Sequence, residues 1–355
     1  MMTILGLLAV MILAAGCGRS QGVAVPLNTS NMPTAVPPTP VPDTAAVSEA
    51  TVEAAPAETV AEAPVEAEQP AEGGSVEAAP AAVEPTITPT PWTGDWRAEP
   101  VVPTGVSQTA IDIYQRGLAM GTDPHSFSVI GDCQNINGPT ESTEGGNEFF
   151  MGGFGDPNMY NLGEHTNLQG VIDNFNVTNS FSRKRIAVNP GFNVAGALSP
   201  LWTDTEYTPC DARESPLECE FRVNNPSIVI ISMETWWYER PAETYAGYLR
   251  QIVEFSIEHG AVPILSTKAD NLEGDYSLNA AVVQVAKQYD VPLWNFWAAA
   301  NPLPNNGLRE DEFHLTYQGP FCHFYDEENM QYAWPVRNLT ALQTLDVVWR
   351  GVSGN

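Results

Sequence analysis

The chain has 355 residues, with 43 acidic against 15 basic side chains, a formal net charge of −28 and five cysteines. So large an acidic excess argues against nucleic acid and against anionic membrane surfaces as partners, because like charges repel over the whole approach. It says nothing for or against catalysis. Ten of the acids and one of the bases fall between Gly18 and Trp92, which leaves 33 acids and 14 bases for the rest, near −19.

The first feature in chain order is an uncharged run of 12 residues, ILGLLAVMILAA, at 4–15. It is too short to span a bilayer as a mature helix and has the length of a signal-peptide core. Ala14-Ala15-Gly16-Cys17 follows, small residues directly before a cysteine. This resembles the lipobox of bacterial lipoproteins, with Ala14 where that family usually has Leu. The resemblance implies cleavage before Cys17 and attachment of a diacylglyceryl group to its thiol, so that 1–17 is a signal and the membrane is reached through a lipid. An ordinary secretion signal with an incidental cysteine is the alternative. Either way the mature chain lies outside the cytoplasm, where disulfides persist.

Residues 18–97 are rich in Ala, Pro, Glu, Val and Thr, with no aromatic residue before Trp92. Such a segment has little to bury against the entropy of ordering it, and its prolines recur too often for a long helix. It is expected to be an extended, disordered stalk. Residues 98–355 then suit one domain with a large core.

Within that domain five short apolar runs are expected to be strands: Ser126–Ile130, Arg185–Val188, Ser227–Met233, Ala261–Thr267 and Val291–Trp297. Most are continuous rather than alternating, as in strands covered on both faces. Between the third and fourth, Tyr245, Leu249, Ile252, Val253 and Ser256 recur at helical spacing and Gly260 ends the pattern. Tyr276, Val282, Val283, Ala286 and Tyr289 repeat it before the fifth. A last helix is expected from Asn338 to about Val352. Strands alternating with helices predict an α/β fold, a three-layer α/β/α arrangement around a mainly parallel five-stranded sheet. Ligands of such sheets bind beyond the carboxyl ends of the strands.

At that edge stand Gly131-Asp132-Cys133, then Asn189-Pro190-Gly191-Phe192-Asn193, Met233-Glu234-Thr235-Trp236-Trp237, and finally Asp311-Glu312-Phe313-His314. In order and spacing these resemble the motif blocks of the SGNH, or GDSL-type, hydrolase superfamily, over roughly residues 125–350. "HGAVPILSTKAD" (259–270) also reads like that family's fourth strand. The resemblance implies a flavodoxin-like sheet and hydrolysis of an ester or thioester, including deacetylation of an envelope or extracellular glycan. It carries the nucleophile's place to Cys133, the base to His314 and its orienting carboxylate to Asp311. The backbone amides of Cys133 and Gly191 remain as oxyanion donors, Asn193 or Asn135 is the substitute side-chain amide, and Asp132, Trp236 and Trp237 are the expected substrate contacts. Two departures stand out: Cys133 replaces the family's serine, and Trp236 and Glu234 replace its Asn and Gly. A thiol beside an imidazole can serve as a nucleophile. Loss of one oxyanion donor costs roughly 3 kcal/mol of transition-state stabilisation.

Each residue also has a plainer reading. Cys133 could be a small core residue or half of a disulfide, and Gly191 could serve only a tight turn. His314 could be a packed loop histidine, and Trp236 and Trp237 could close the core rather than stack on sugar rings. Cys210 and Cys219, nine apart, are expected to pair, which leaves Cys133 and Cys322 as either a second bridge or two thiols. Cys322, His323 and His314 lack recognisable zinc spacing, so no metal and no cofactor is expected. A monomer acting on a small-molecule or glycan ester is one reading. A degenerate hydrolase fold that binds glycan at the cell surface without turnover is the other.

Overall fold

The computed structural model describes residues 92–138, 150–236 and 240–354. The signal run, Cys17 and most of the stalk lie outside the described residues, as does Trp237. The fold is α/β, a parallel sheet of four strands with helices packed around it. The strands are β1 (Asp123–Gly131), β2 (Pro226–Ser232), β3 (Val262–Ser266) and β4 (Leu293–Trp294), in the order β1-β2-β3-β4. Register runs Phe127 to Ile228 and Gly131 to Ser232, then Ile228 to Val262, then Leu265 to Leu293. Every residue of β2 and β3 is buried, which is why both read as unbroken apolar runs.

The second expected strand is not formed. Arg185–Val188 contributes only a single parallel bridge, Gly131 to Val188, on the side of β1 away from β2. The cause is local. The N–H groups of Ile186 and Ala187 both donate to the Glu220 carboxylate, at 2.7 and 3.2 Å, and so are lost to a ladder. The fifth run shortens to two residues because Pro292 has no N–H and Asn295 leaves the sheet, its side chain donating to the carbonyls of Trp96 and Glu99.

The helices are α1 (Gln108–Met120), α2 (Gln169–Asn176), α3 (Pro216–Asn224), α4 (Ala242–Glu258), α5 (Ser277–Gln288), α6 (Phe296–Ala300) and α7 (Ala333–Ser353). Helices α4 and α5 pack on each other and on β3, whereas α1 and α2 both pack on α7. Of these, α4, α5 and α7 match the apolar periodicity. Helices α1, α2, α3 and α6 are additional, α6 beginning inside the expected fifth strand, and α3 carries a capping box in which Ser215 and Glu218 satisfy each other's backbone N–H. Gly117 of α1 meets Gly260 backbone to backbone: a Cβ on Gly117 would lie 2.0 Å from the Gly260 carbonyl oxygen, so that crossing admits no side chain. No helix among the described residues is long and apolar enough to cross a membrane.

Trp96, in the stretch that composition assigns to the stalk, is buried. It packs edge-on against Trp297 at 4.8 Å and against Tyr276 at 5.8 Å, with the Arg97 guanidinium 4.4 Å over its ring. Two aromatic partners and a cation hold these residues on the folded domain.

Candidate active site

The carboxyl edge of β1 turns at Gly131-Asp132 into a single 3-10 turn, Cys133–Asn135. A Cβ at Gly131 would come within 2.4 Å of the Asn135 side chain, so glycine is required there for space. Asp132 is fully buried, and its carboxylate is spent on the backbone. One oxygen accepts from the N–H of Glu234 and Thr235 at 2.8 and 2.7 Å, the other from Gln134 N–H at 3.3 Å. These bonds offset the desolvation of the charge and tie the end of β1 to the end of β2. The carboxylate assigned to substrate from sequence thus faces the protein's own amides.

Cys133 opens the turn, is buried and is disulfide-bonded. Cys322 is not its partner. It is a free, buried thiol that burial pushes up to about 12, and its sulfur accepts from Asn338 Nδ2 at 3.7 Å. A Cys133–Cys322 bridge is therefore excluded. Cys210 and Cys219 are bridged as expected, with Cα atoms 5.5 Å apart. Cys210, Glu214 and Cys219 are the one grouping of possible metal ligands among the described residues, and both its sulfurs are consumed by that bridge.

Asp311 and His314 form a self-contained loop. One Asp311 oxygen accepts from the N–H of Phe313 and His314 at 3.1 and 2.9 Å, and the other meets His314 Nδ1 at 2.7 Å. Partial burial would raise the Asp311 pKa, but hydrogen bonds from the His314 ring and from these two amides outweigh it and hold the carboxyl below its ordinary range. Arg309 N–H donates to His314 carbonyl at 2.8 Å and closes the loop, within which Glu312 adopts φ 57°. With Nδ1 turned to Asp311, Nε2 is the atom left to act, and the His314 side chain is 27% exposed. Gln134 Nε2 donates to Phe313 carbonyl at 3.0 Å. That bond docks the residue before His314 on the residue after Cys133, bringing together the two segments that sequence paired.

The Asn189–Asn193 turn hangs from the same corner, since Asn189 N–H donates to Gly131 carbonyl at 3.3 Å. Gly191 takes φ 84°, and a Cβ there would meet nothing within 4 Å, so conformation rather than space calls for glycine. Asn193 Oδ1 accepts from Ala195 and Gly196 N–H, which leaves its amide nitrogen as the donor end. Asn135 is buried and its side chain is committed: Nδ2 donates to Ser232 carbonyl at 2.8 Å and Oδ1 accepts from Arg337 at 3.2 Å. Trp236 lies against Tyr245 and Tyr248 of α4, and its indole N–H donates to Arg240 carbonyl at 3.2 Å. It stands as a wall of the edge rather than as a donor.

Sequence reading missed the buried charges behind these turns. Arg337 of α7 is wholly buried, 2.7 Å from Glu234 and 3.0 Å from Ser232 Oγ. Burial raises Glu234 to about 8, Arg337 opposes the rise, and Asp132 and Asp270 add to it. Beyond β3, Lys268 is buried between Asp270 and Glu273 at 2.5 and 2.7 Å. The available signal was an arginine inside the apolar stretch "WPVRNLTALQTL" of the last helix (334–345). Two surface cavities, of about 170 Å³ around His323, Tyr325 and Asn329 and about 200 Å³ around Glu99, Lys287 and Asp290, are lined by neither Cys133 nor His314.

Comparison of the chain with protein-family models and with curated proteins finds no match.

Proposed function

We propose that the domain is an SGNH-like hydrolase acting on ester or thioester bonds, with Cys133, in its thiol form, His314 and Asp311 as its working residues. The observation that carries this reading is the Asp311–His314 pair, bonded at 2.7 Å and docked through Gln134 on the Cys133 turn at the carboxyl edge of a parallel sheet. Counting the Arg185–Val188 segment as a vestigial strand gives the order 2-1-3-4-5 of flavodoxin-like sheets, which supports the same resemblance. In the reaction His314 Nε2 takes the Cys133 thiol proton and the sulfur attacks the ester carbonyl. The tetrahedral oxyanion, facing the backbone amides of Cys133 and Gly191 and the Asn193 amide, collapses and expels the alkoxide, which leaves with the proton held by His314. Water, deprotonated by His314, then cleaves the thioester and returns the proton to sulfur.

The disulfide at Cys133 must be opened first, by a dithiol or a phosphine reductant, or be prevented from forming. A Cys17 that carries lipid has no thiol with which to bridge any cysteine. The proposed setting is the outer face of the cell membrane, the domain tethered through that lipid. Cys17→Ser should release the protein to the medium, and unprocessed wild type found there would refute the tether. The packing of Trp236 against Tyr245 and Tyr248, where the resemblance places an oxyanion Asn, favours a second reading, a binding module for surface glycan that has no turnover. Short-chain ester and thioester hydrolysis, measured before and after reduction in wild type and His314→Ala, separates the two. Turnover that appears on reduction and drops at least about 100-fold in His314→Ala supports the hydrolase. No turnover in either state leaves the binding module.

A further inference from the structure

Two buried guanidiniums converge on the turn that carries Cys133. Arg185 Nη1 donates to the Asn135 carbonyl at 2.6 Å, and Arg337 Nη2 donates to Asn135 Oδ1 at 3.2 Å. Both stack on Phe150, their Cζ atoms 5.3 and 4.9 Å from its ring centre, and Arg337 also faces Trp294 and Phe296. Arg337 Nη2 also meets Glu234 at 2.7 Å, but Arg185 Nε and Nη2, and Arg337 Nε and Nη1, are buried without a hydrogen-bond partner among the described residues. Two cations so held are a poor choice for stability, since apolar side chains of similar volume would serve the core at least as well. Their common target is Asn135, whose side chain also closes on Gly131 and Ser232.

We propose that Arg185 and Arg337 are positioning residues: they pin the Cys133–Asn135 turn through the Asn135 carbonyl and side chain and bring positive charge to it, so that the turn favours an anion, a thiolate or an oxyanion. This rests on reading Cys133 as a nucleophile in its thiol form. The charged groups around the turn are Asp132 beside it, Glu234 beyond β2, Asp270 beyond β3, Glu220 of α3, and the Asp311–His314 loop. Asp132 opposes the effect, but its charge is spread over three backbone N–H groups. Glu234, 2.7 Å from Arg337, offsets part of that charge, while burial disfavours its ionised form; Arg185 has no such partner at its Nε and Nη2 among the described residues. Arg185 is lowered to about 9 by burial and by its arginine neighbours, which leaves it charged there too.

The test is the titration of Cys133 in the full chain after phosphine reduction, followed by NMR of cysteine labelled at Cβ, with the signal assigned by its loss in Cys133→Ser. Arg185→Gln and Arg337→Gln should each raise the thiol pKa by roughly one unit, and Arg185→Lys and Arg337→Lys should leave it within about half a unit. Folded Gln variants that titrate like wild type would overturn the proposal. Where a Gln variant fails to fold, the Lys variant decides: a thiol pKa that rises by a full unit with the charge retained also overturns it. Ester turnover plays no part in this readout. A titration that follows the arginines in a protein without hydrolase activity would sink the hydrolase reading alone, and turnover with an insensitive titration would sink this inference alone.

Discussion

The two halves of the candidate site are built in opposite ways. The Asp132–Asn135 turn is buried and is bonded, among the described residues, to the end of β2, the residues beyond it, the Arg185 segment and α7. The Asp311–His314 loop bonds mainly to itself and is open to solvent, joined to the turn, among the described residues, by one side-chain hydrogen bond, from Gln134. The difference separates a half that is fixed from a half that, on the hydrolase reading, moves protons. A fixed, desolvated turn gives a reacting atom a single position. A partly exposed imidazole oriented by a neighbouring carboxylate can move protons to and from a ligand.

The largest break in this comparison should come from Asp132→Ala. It strands the N–H groups of Glu234, Thr235 and Gln134 and leaves the corner of the sheet untied, at a cost of about 3–5 kcal/mol in urea unfolding. A loss under about 1 kcal/mol would mean that the turn is not held as described.

Acidity sharpens the contrast next. Glu234 has a folded pKa raised to about 8 against an ordinary value of 4.5, so its contribution is fully present below about 4.5 and is lost as the pH rises through about 8. In that window wild type should lose on the order of 3 kcal/mol more than Glu234→Gln. Parallel stability curves for the two proteins would contradict the assignment. The Asp311–His314 loop, being exposed, should add little to either curve.

Removing the Cys210–Cys219 bridge by the double Ser variant should cost about 2–3 kcal/mol by the chain-entropy estimate, and it should do so without changing the His314 loop. Asp311→Ala should have the smallest effect on stability, about 1 kcal/mol or less, while lowering ester turnover at least about 100-fold. A variant that lost stability in proportion to activity would show that the loop is structural after all.

How much of this was legible in the sequence follows from how local each interaction is. β1 and β2, and helices α4, α5 and α7, are written as continuous or periodic apolar runs, and the bridge between Cys210 and Cys219 as a short spacing. The Asp311–His314 contact spans three residues and was legible for the same reason. The missing strand at Arg185–Val188 was not, because what removes it is a carboxylate 34 residues away, on Glu220. Nor was the grip on Asn135, whose arginines lie 50 and 202 residues distant. Trp96 reads as linker by its neighbours' composition and becomes core through Trp297. The capping box at Ser215-Pro216-Leu217-Glu218 is equally local, written in the Ser-x-x-Glu spacing.

The most direct test of the hydrolase reading is to trap its covalent intermediate. Reduced protein is mixed with an activated acetyl ester, quenched in acid and mapped by peptide mass spectrometry. The account predicts one acetyl group on Cys133, formed more slowly in His314→Ala and absent in Cys133→Ser. No adduct at Cys133 after complete reduction, or acetylation confined to surface lysines, would contradict it.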